Sequence, residues 1–523
     1  MTGLSRRHFS AAVLAASTMP LRAAEPRPRG GVLNLIAQPE PATLALGLNL
    51  QAPTIYIGGK IFQGLLTYSE KLEPRPSLAR AWLVSADGLT YTFTLQDNVR
   101  WHDGRPFSAE DVVFSAGTML REAHPRWRLI YDTYVAEVAA GADGTVQFRL
   151  KKPFSAFLYA FELSSLPILP KHVYAGTDYR TNPANLAPIG TGPFKFKAWR
   201  RGQHIHLVRN DDYWKPERPF IDEIYFRIIP DAASRAIAFD RGIVDVLRSG
   251  DAEGFEIRRI VAQPHVVSTT KGEEMYAPHA FLQMNLRRPP FDNKLVRKAV
   301  MHALDRNFIA RNIWFGWATP ARGAVSSSTR FHTPDVTQYP LDLKLAKDLI
   351  ARSGVDRASL RIRLLPLPYG QQWDRLAEYI KQQLAQIGFD VTIQATDVAG
   401  WSQAVSDWNF DAALNYTYQY GDPALGVARH YLSTNIIKGT PAANNHGYAN
   451  PEVDRLFAEA AGAISDAAAR EAYARVQALL AEDVALGWLF EMRSVVVSRP
   501  AARDLVTTAI GVSDTLDEAW IAR

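Results

Sequence analysis

The chain has 523 residues, too many for one compact core, and its 47% hydrophobic and 21% charged residues are ordinary for a folded protein in water, with two to four domains expected. No uninterrupted apolar run reaches the roughly 18 residues of a spanning helix. The net charge of +6 is scattered without a basic stripe, which excludes nucleic acid as a partner. There is no cysteine, so disulfides, thiolate metal sites, a Cys nucleophile and a lipid-modified N-terminal Cys are all excluded.

Ser5-Arg6-Arg7-His8-Phe9 precedes a short apolar run, Ala11 to Met19, and then small residues at Ala23 and Ala24. This is the form of a twin-arginine signal peptide, with cleavage expected near Ala23 or Ala24. Residues 1–24 carry Arg6, Arg7 and Arg22 and no acid, so the remainder holds 56 basic against 53 acidic residues, or +3. The expectation is a periplasmic protein, exported, freely diffusing and not a lipoprotein.

Glu25 to Gly30 reads as a flexible leader and Val32 to Ala37 as a short apolar strand, followed by the loop Pro39-Glu40-Pro41. Tyr56 to Leu65 reads as an early helix. In Asp87 to Ser115, Tyr91, Phe93 and Leu95 alternate with Thr90, Thr92 and Thr94, the pattern of a strand with one buried face. Trp101-His102-Asp103-Gly104 then turns, and Ser108 with Asp111 predicts a capping box at the head of a helix whose buried stripe is Val112, Val113, Ala116, Met119 and Leu120. Val146 to Leu150 alternates as another strand. Gly190-x-Gly192 is a Gly/Pro turn into strands at Phe194 to Trp199 and His204 to Val208; Lys195 stands where a dinucleotide motif needs its third Gly. His204 and His206 share one strand face without a third ligand nearby, the pattern of a solvated face rather than a metal site. Asp231 is placed to cap a helix that Gly242 ends.

Around Tyr276 to Asn285 the chain is expected to cross into a second lobe. There Leu364-Leu365 ends a strand, Leu376, Ile380, Leu384 and Ile387 repeat at helical spacing, Gly388 suits the position after the helix, and Phe389, Val391 and Ile393 alternate. Such a strand–helix–strand unit implies parallel pairing. Near Gly487 to Phe490 the chain is expected to return.

Three stretches carry a resemblance. Asp87-Gly88 through Arg100-Trp101-His102-Asp103-Gly104 to Ser108-Ala109-Glu110-Asp111-Val112 is the longest. The others are Pro188-Ile189-Gly190-Thr191-Gly192-Pro193-Phe194 and Asn285 through Pro290-Phe291-Asp292-Asn293 to Leu304-Asp305-Arg306. Together they resemble the peptide/nickel family of extracellular solute-binding proteins, the ligand-capturing components of ATP-driven importers. The resemblance implies an α/β, two-lobed periplasmic binding protein of the large peptide-binder type, with an extra domain inserted in the first lobe. The expected divisions are 25–68 and 190–275 for the first lobe, 69–189 for the extra domain, 276–488 for the second lobe and 489–523 for the return. It also implies a monomer that captures a di- or oligopeptide between its lobes and passes it to the membrane permease subunits of the importer, with no cofactor. A nickel complex, opine, sugar or other amine-bearing metabolite on the same scaffold is the alternative; a metal complex would call on His430 and His446.

The candidate binding constellation is Trp401, Tyr416, Tyr418, Tyr420 and Asp422, in the run Tyr416-Thr417-Tyr418-Gln419-Tyr420-Gly421-Asp422-Pro423. The three tyrosines would project to one side of a strand. Aromatic walls with one carboxylate suit an organic ammonium. The resemblance implies that Asp422 grips it; the alternative is an Asp that bonds only its own turn. Arg429 would meet a ligand carboxylate or lie at the surface, and Tyr369 is a further wall candidate. The chain contains no G-x-S-x-G, H-E-x-x-H or P-loop, so a binder rather than an enzyme is expected. Scattered carboxylates leave an exported hydrolase such as a glycosidase as the reading of another class.

Overall fold

The computed structural model of the chain describes residues 27–440 and 443–523, so the export segment expected over 1–24 lies outside the described residues. From Arg27 onward the expected leader is not loose. Its guanidinium pairs with Asp504 at 2.9 Å and Glu518 at 2.6 Å, and the Gly30 amide donates to the Phe220 carbonyl at 2.8 Å.

The first lobe is built on strand Val32–Ile36, which pairs in parallel with Glu223–Arg227; His204–Arg209 and Phe194–Arg200 complete this sheet antiparallel. Next to it, Ala79–Val84, Thr90–Leu95, Thr145–Leu150 and Val135–Ala140 form a separate antiparallel sheet. Tyr91, Phe93 and Leu95 are buried and the threonines between them are half-buried, as the alternation predicts. At the following helix, the Asp111 carboxylate accepts the Ser108 amide at 2.9 Å and also the Trp101 indole at 3.3 Å and the Lys171 amide at 3.0 Å. One acid thus ties turn, helix and a distant segment together. This second sheet does not have a core of its own. Phe93, Phe148, Phe157 and Phe161, all inaccessible to solvent, belong to one continuous cluster with Leu33, Ile61 and Phe226. Burying a ring of this size stabilises by roughly 1.5–3 kcal/mol, so the two sheets hold each other.

Gly190 and Gly192 have a structural reason. A β-carbon on Gly190 would stand 1.9 Å from the Ile61 carbonyl oxygen, and one on Gly192 would stand 2.6 Å from it. The close approach lets the Gly192 amide donate to Ile61 at 2.8 Å and the Phe194 amide to Lys60 at 3.1 Å. His206 is held by Glu223 at 2.9 Å, and among the described residues no group of His, Cys, Asp and Glu is arranged around a metal position.

The second lobe is organised by a mixed six-stranded sheet in the order Ala318–Pro320, Gly487–Met492, His279–Met284, Ala412–Thr417, Arg361–Leu365, Asp390–Ile393. The last three pair in parallel around the helix Gln371–Ala385, and Gly388 takes φ +98° at its exit. Every residue of His279–Met284 is buried, because both faces are covered: Ala280, Leu282 and Met284 enter one core and Phe281 the other. Burial on both faces marks a central strand, here flanked by Gly487–Met492 and Ala412–Thr417.

Two segments tie the lobes. Met275 lies in the first core and Ala280 in the second; Phe490 lies in the second and Val496 in the first. Away from these ties, the Ser155 amide donates to the Ala461 carbonyl at 2.8 Å and the Ser155 hydroxyl to Ala460 at 3.1 Å. These bonds join the segment that follows strand Thr145–Leu150 to helix Pro451–Gly462 of the second lobe. Among the described residues no helix is long and apolar enough to cross a membrane.

Candidate functional site

A cavity of about 110 Å³ lies at the seam, where both connecting segments meet. The first lobe contributes Ile55, Arg126, Ser164 and Arg248; the connections contribute Lys271, Glu273, Tyr276 and Ser494; the second lobe contributes Tyr418 and Tyr420. Part of the first-lobe edge comes from Leu50, Ala52 and Ile55.

The tyrosine run is placed by its neighbours. The strand ends at Thr417, so the expected three-residue alternation along a strand is cut short. Gln419, fully buried between the two wall tyrosines, turns into the second lobe. Its amide oxygen accepts the Ser326 amide at 2.8 Å, and its nitrogen donates to Ala324 at 3.0 Å and to His279 Nδ1 at 2.9 Å. Tyr418 and Tyr420 are thereby directed into the cavity, with ring centroids 6.0 Å apart, and Tyr276 sits 5.5 Å from Tyr418 and 6.3 Å from Tyr420. Tyr416 touches Tyr418 at 5.5 Å but faces the other way, toward Trp373 at 6.1 Å and Tyr369 at 6.2 Å. Tyr369 is 54% exposed outside the cavity, and Trp401 packs into the cores of the second lobe.

Asp422, expected to grip a ligand ammonium, lies behind the cavity wall. It is fully buried and does not line the cavity. One carboxylate oxygen accepts the Ala424 amide at 3.0 Å and the other pairs with Arg330 Nη1 at 2.9 Å. Arg330 also reaches Asp466 at 2.7 Å and lies over the Tyr159 ring at 4.6 Å. Burial pushes the Asp422 carboxyl up to about 6, with Arg330 opposing that rise. The Gly-Asp-Pro turn is therefore a cap and an internal ion pair. Arg429 likewise stands behind the wall. Its Nη2 donates to Thr417 at 2.6 Å and its guanidinium is 5.9 Å from the Tyr420 centroid. His430 bonds Thr417 at 2.9 Å, His446 is fully buried, and neither faces the cavity.

Charged groups that the sequence reading did not single out line the cavity instead. The Arg126 guanidinium lies 3.3 Å from the Tyr420 centroid and pairs with buried Glu162 at 3.4 Å. Glu162 is in turn held by the Ser164 amide and hydroxyl at 2.7 Å each. Arg126 Nη2 has no partner, and the Tyr276 hydroxyl approaches Ser164 without forming a well-made hydrogen bond. Arg248 forks onto Asp251 at 2.9 Å and lies 4.0 Å from the Tyr56 ring centroid. Lys271 pairs with Glu70 at 2.9 Å. Glu273 is half-buried with Ser494 as its side-chain neighbour, and burial raises its carboxyl above the usual range. The one signal for it in the sequence was its position, an acid pair Glu273-Glu274 directly before the expected crossing at Tyr276.

Arg126 and Ser164 are both set by His124. Its Nδ1 accepts the Trp127 amide at 3.0 Å and the Arg126 amide at 3.3 Å, while Nε2 donates to the Ser164 carbonyl at 3.1 Å. A chamber with aliphatic walls, three tyrosines and a few fixed charges suits a small polar organic molecule.

A family model described as "Bacterial extracellular solute-binding proteins, family 5 Middle" matches residues 73–438. Heme-binding protein A of Haemophilus influenzae is 27% identical over 430 residues, covering 77% of this chain and 76% of that one. The dipeptide-binding protein of Escherichia coli is 27% identical over 377 residues, covering 66% and 68%. Among solved structures, the ABC transporter substrate-binding protein CtaP of Listeria monocytogenes superposes with a TM-score of 0.83 at 24% identity, covering 95% of this chain and all of that one, a likeness of fold.

Proposed function

The chain belongs to the bacterial extracellular solute-binding proteins of family 5, and from that premise we propose that it is the capture component of an ATP-driven importer. It takes a small peptide between its lobes in the periplasm and hands it to the permease. The observation that carries this reading is the seam cavity, walled by both lobes at the two segments that tie them. Movement about those ties opens the cavity to solvent and closes it again without disturbing either core. Closure strips water from the ligand and strengthens its polar contacts.

In this reading Tyr276, Tyr418 and Tyr420 are the ligand walls, and the unpartnered Nη2 of Arg126 receives a ligand carboxylate. Export through a twin-arginine signal and a monomeric working state complete the proposal. The protein returns its ligand unchanged. Denaturing purified protein and analysing what it releases by mass spectrometry tests this directly. Intact short peptides are expected; a non-peptide molecule, or a peptide cleaved on incubation with the protein, overturns it.

A further inference from the structure

We propose that Glu273 is the residue that receives a cationic group of the ligand, an ammonium, and so sets which end of the ligand lies where. This rests on the reading of the seam cavity as a peptide site. The argument is one of charge pairing. Each cation lining the cavity already has its own carboxylate: Arg126 has Glu162, Arg248 has Asp251 and Lys271 has Glu70. None of those three acids lines the cavity. Glu273 is the one acid that does; among the described residues no cation lies within ion-pair distance of it, and Arg248, whose positive charge it feels, is already forked onto Asp251. A carboxylate taken partly out of water without an ion pair of its own is costly unless something supplies one.

The surroundings fit an ammonium better than a metal ion. Tyr276 and Tyr418 line the same chamber, and the negative charge of Glu273 is felt by the hydroxyls of Tyr416 and Tyr418. Phenol rings and one carboxylate offer an ammonium a charged acceptor and a π face together. The other candidate, Asp422, is already neutralised by Arg330. With Glu273 at one side and Arg126 at another, the cavity is polar in two senses and orients a zwitterion.

The test uses two libraries of di- and tripeptides, one with free amines and one N-acetylated. Each is equilibrated with full-length mature protein, and the retained members are identified by mass spectrometry. Wild type is expected to enrich free-amine members at least tenfold over their acetylated forms. Glu273→Gln is expected to lose that discrimination, while Glu273→Asp, which keeps the charge, retains a preference for free amines. The pair separates loss of charge from a defect of folding at this position. If wild type retains no member of either library, the peptide reading fails and this inference with it. If wild type discriminates and Glu273→Gln discriminates equally well, the inference about Glu273 alone is wrong.

Discussion

Replacing His124 with Leu tests how the wall of the cavity is held. The ring is fully buried and makes three hydrogen bonds, accepting from the Trp127 and Arg126 amides and donating to the Ser164 carbonyl. Leu fills similar space but leaves those groups without a partner. The Trp127 amide and the Ser164 carbonyl are the costly pair, at about 1–3 kcal/mol each, so His124→Leu should lower the unfolding free energy at pH 7 by roughly 2–6 kcal/mol. The loss should shrink on acidification. Burial, with Arg126 adding to it, lowers the ring from its ordinary 6.5 to about 3. Above pH 6.5 the ring is neutral in both states and its contribution is complete. Below that, the unfolded chain takes up a proton that the folded protein refuses, and stability falls until the pH approaches the folded value. Between 6.5 and 5 this amounts to about 2 kcal/mol, at 1.36 kcal/mol per pH unit. The variant has no such term, so the gap between wild type and variant should close by about 2 kcal/mol at pH 5. Urea unfolding followed by tryptophan fluorescence reads both quantities, with Trp127 itself a buried reporter. A destabilisation under 1 kcal/mol at pH 7, or a gap independent of pH, would refute the reasoning.

Other outcomes follow from the same contacts. Asp422→Ala breaks a buried ion pair and should cost about 3–5 kcal/mol of stability, while calorimetry should find ligand affinity changed less than twofold; a large affinity loss would return Asp422 to the ligand site. Arg126→Ala should weaken binding of carboxylate-ended ligands by roughly 2–5 kcal/mol, and a peptide amidated at its C-terminus should be indifferent to the change. Gly190→Ala drives a methyl group into the Ile61 carbonyl and should destabilise by about 3 kcal/mol or more, seen as a lowered melting temperature or loss of soluble protein. Addition of a bound peptide should raise the melting temperature with the logarithm of its concentration over Kd, as mass action requires.

Much of the framework was legible because it is encoded locally. The alternation of Tyr91, Phe93 and Leu95, the Ser108–Asp111 pair and the 361–393 unit each depend on residues within a few positions of one another. The tyrosines at 418 and 420, which line the cavity, stand in one such local run. The place of Asp422 was not legible, because a Gly-Asp-Pro turn looks the same whether its carboxylate faces a ligand or a cap. What distinguishes them is Arg330, 92 positions away in the chain. Arg126, Arg248 and Glu273 carried no periodic or motif signal. They become neighbours only when the segment around Arg126, the three-stranded sheet Val246–Arg248, Val496–Ser498, Val267–Thr269 and the first connection converge.

The contact of Ser155 with Ala460 and Ala461 bears on how cargo leaves. It lies outside the cavity lining and acts as a clasp of one main-chain bond and one hydroxyl bond. Parting the halves must undo it whether or not anything is inside. Dwell time in the shut form is therefore set in part by two bonds indifferent to what is carried, and a docking permease that pries at this edge can empty vessels of differing contents by one and the same motion.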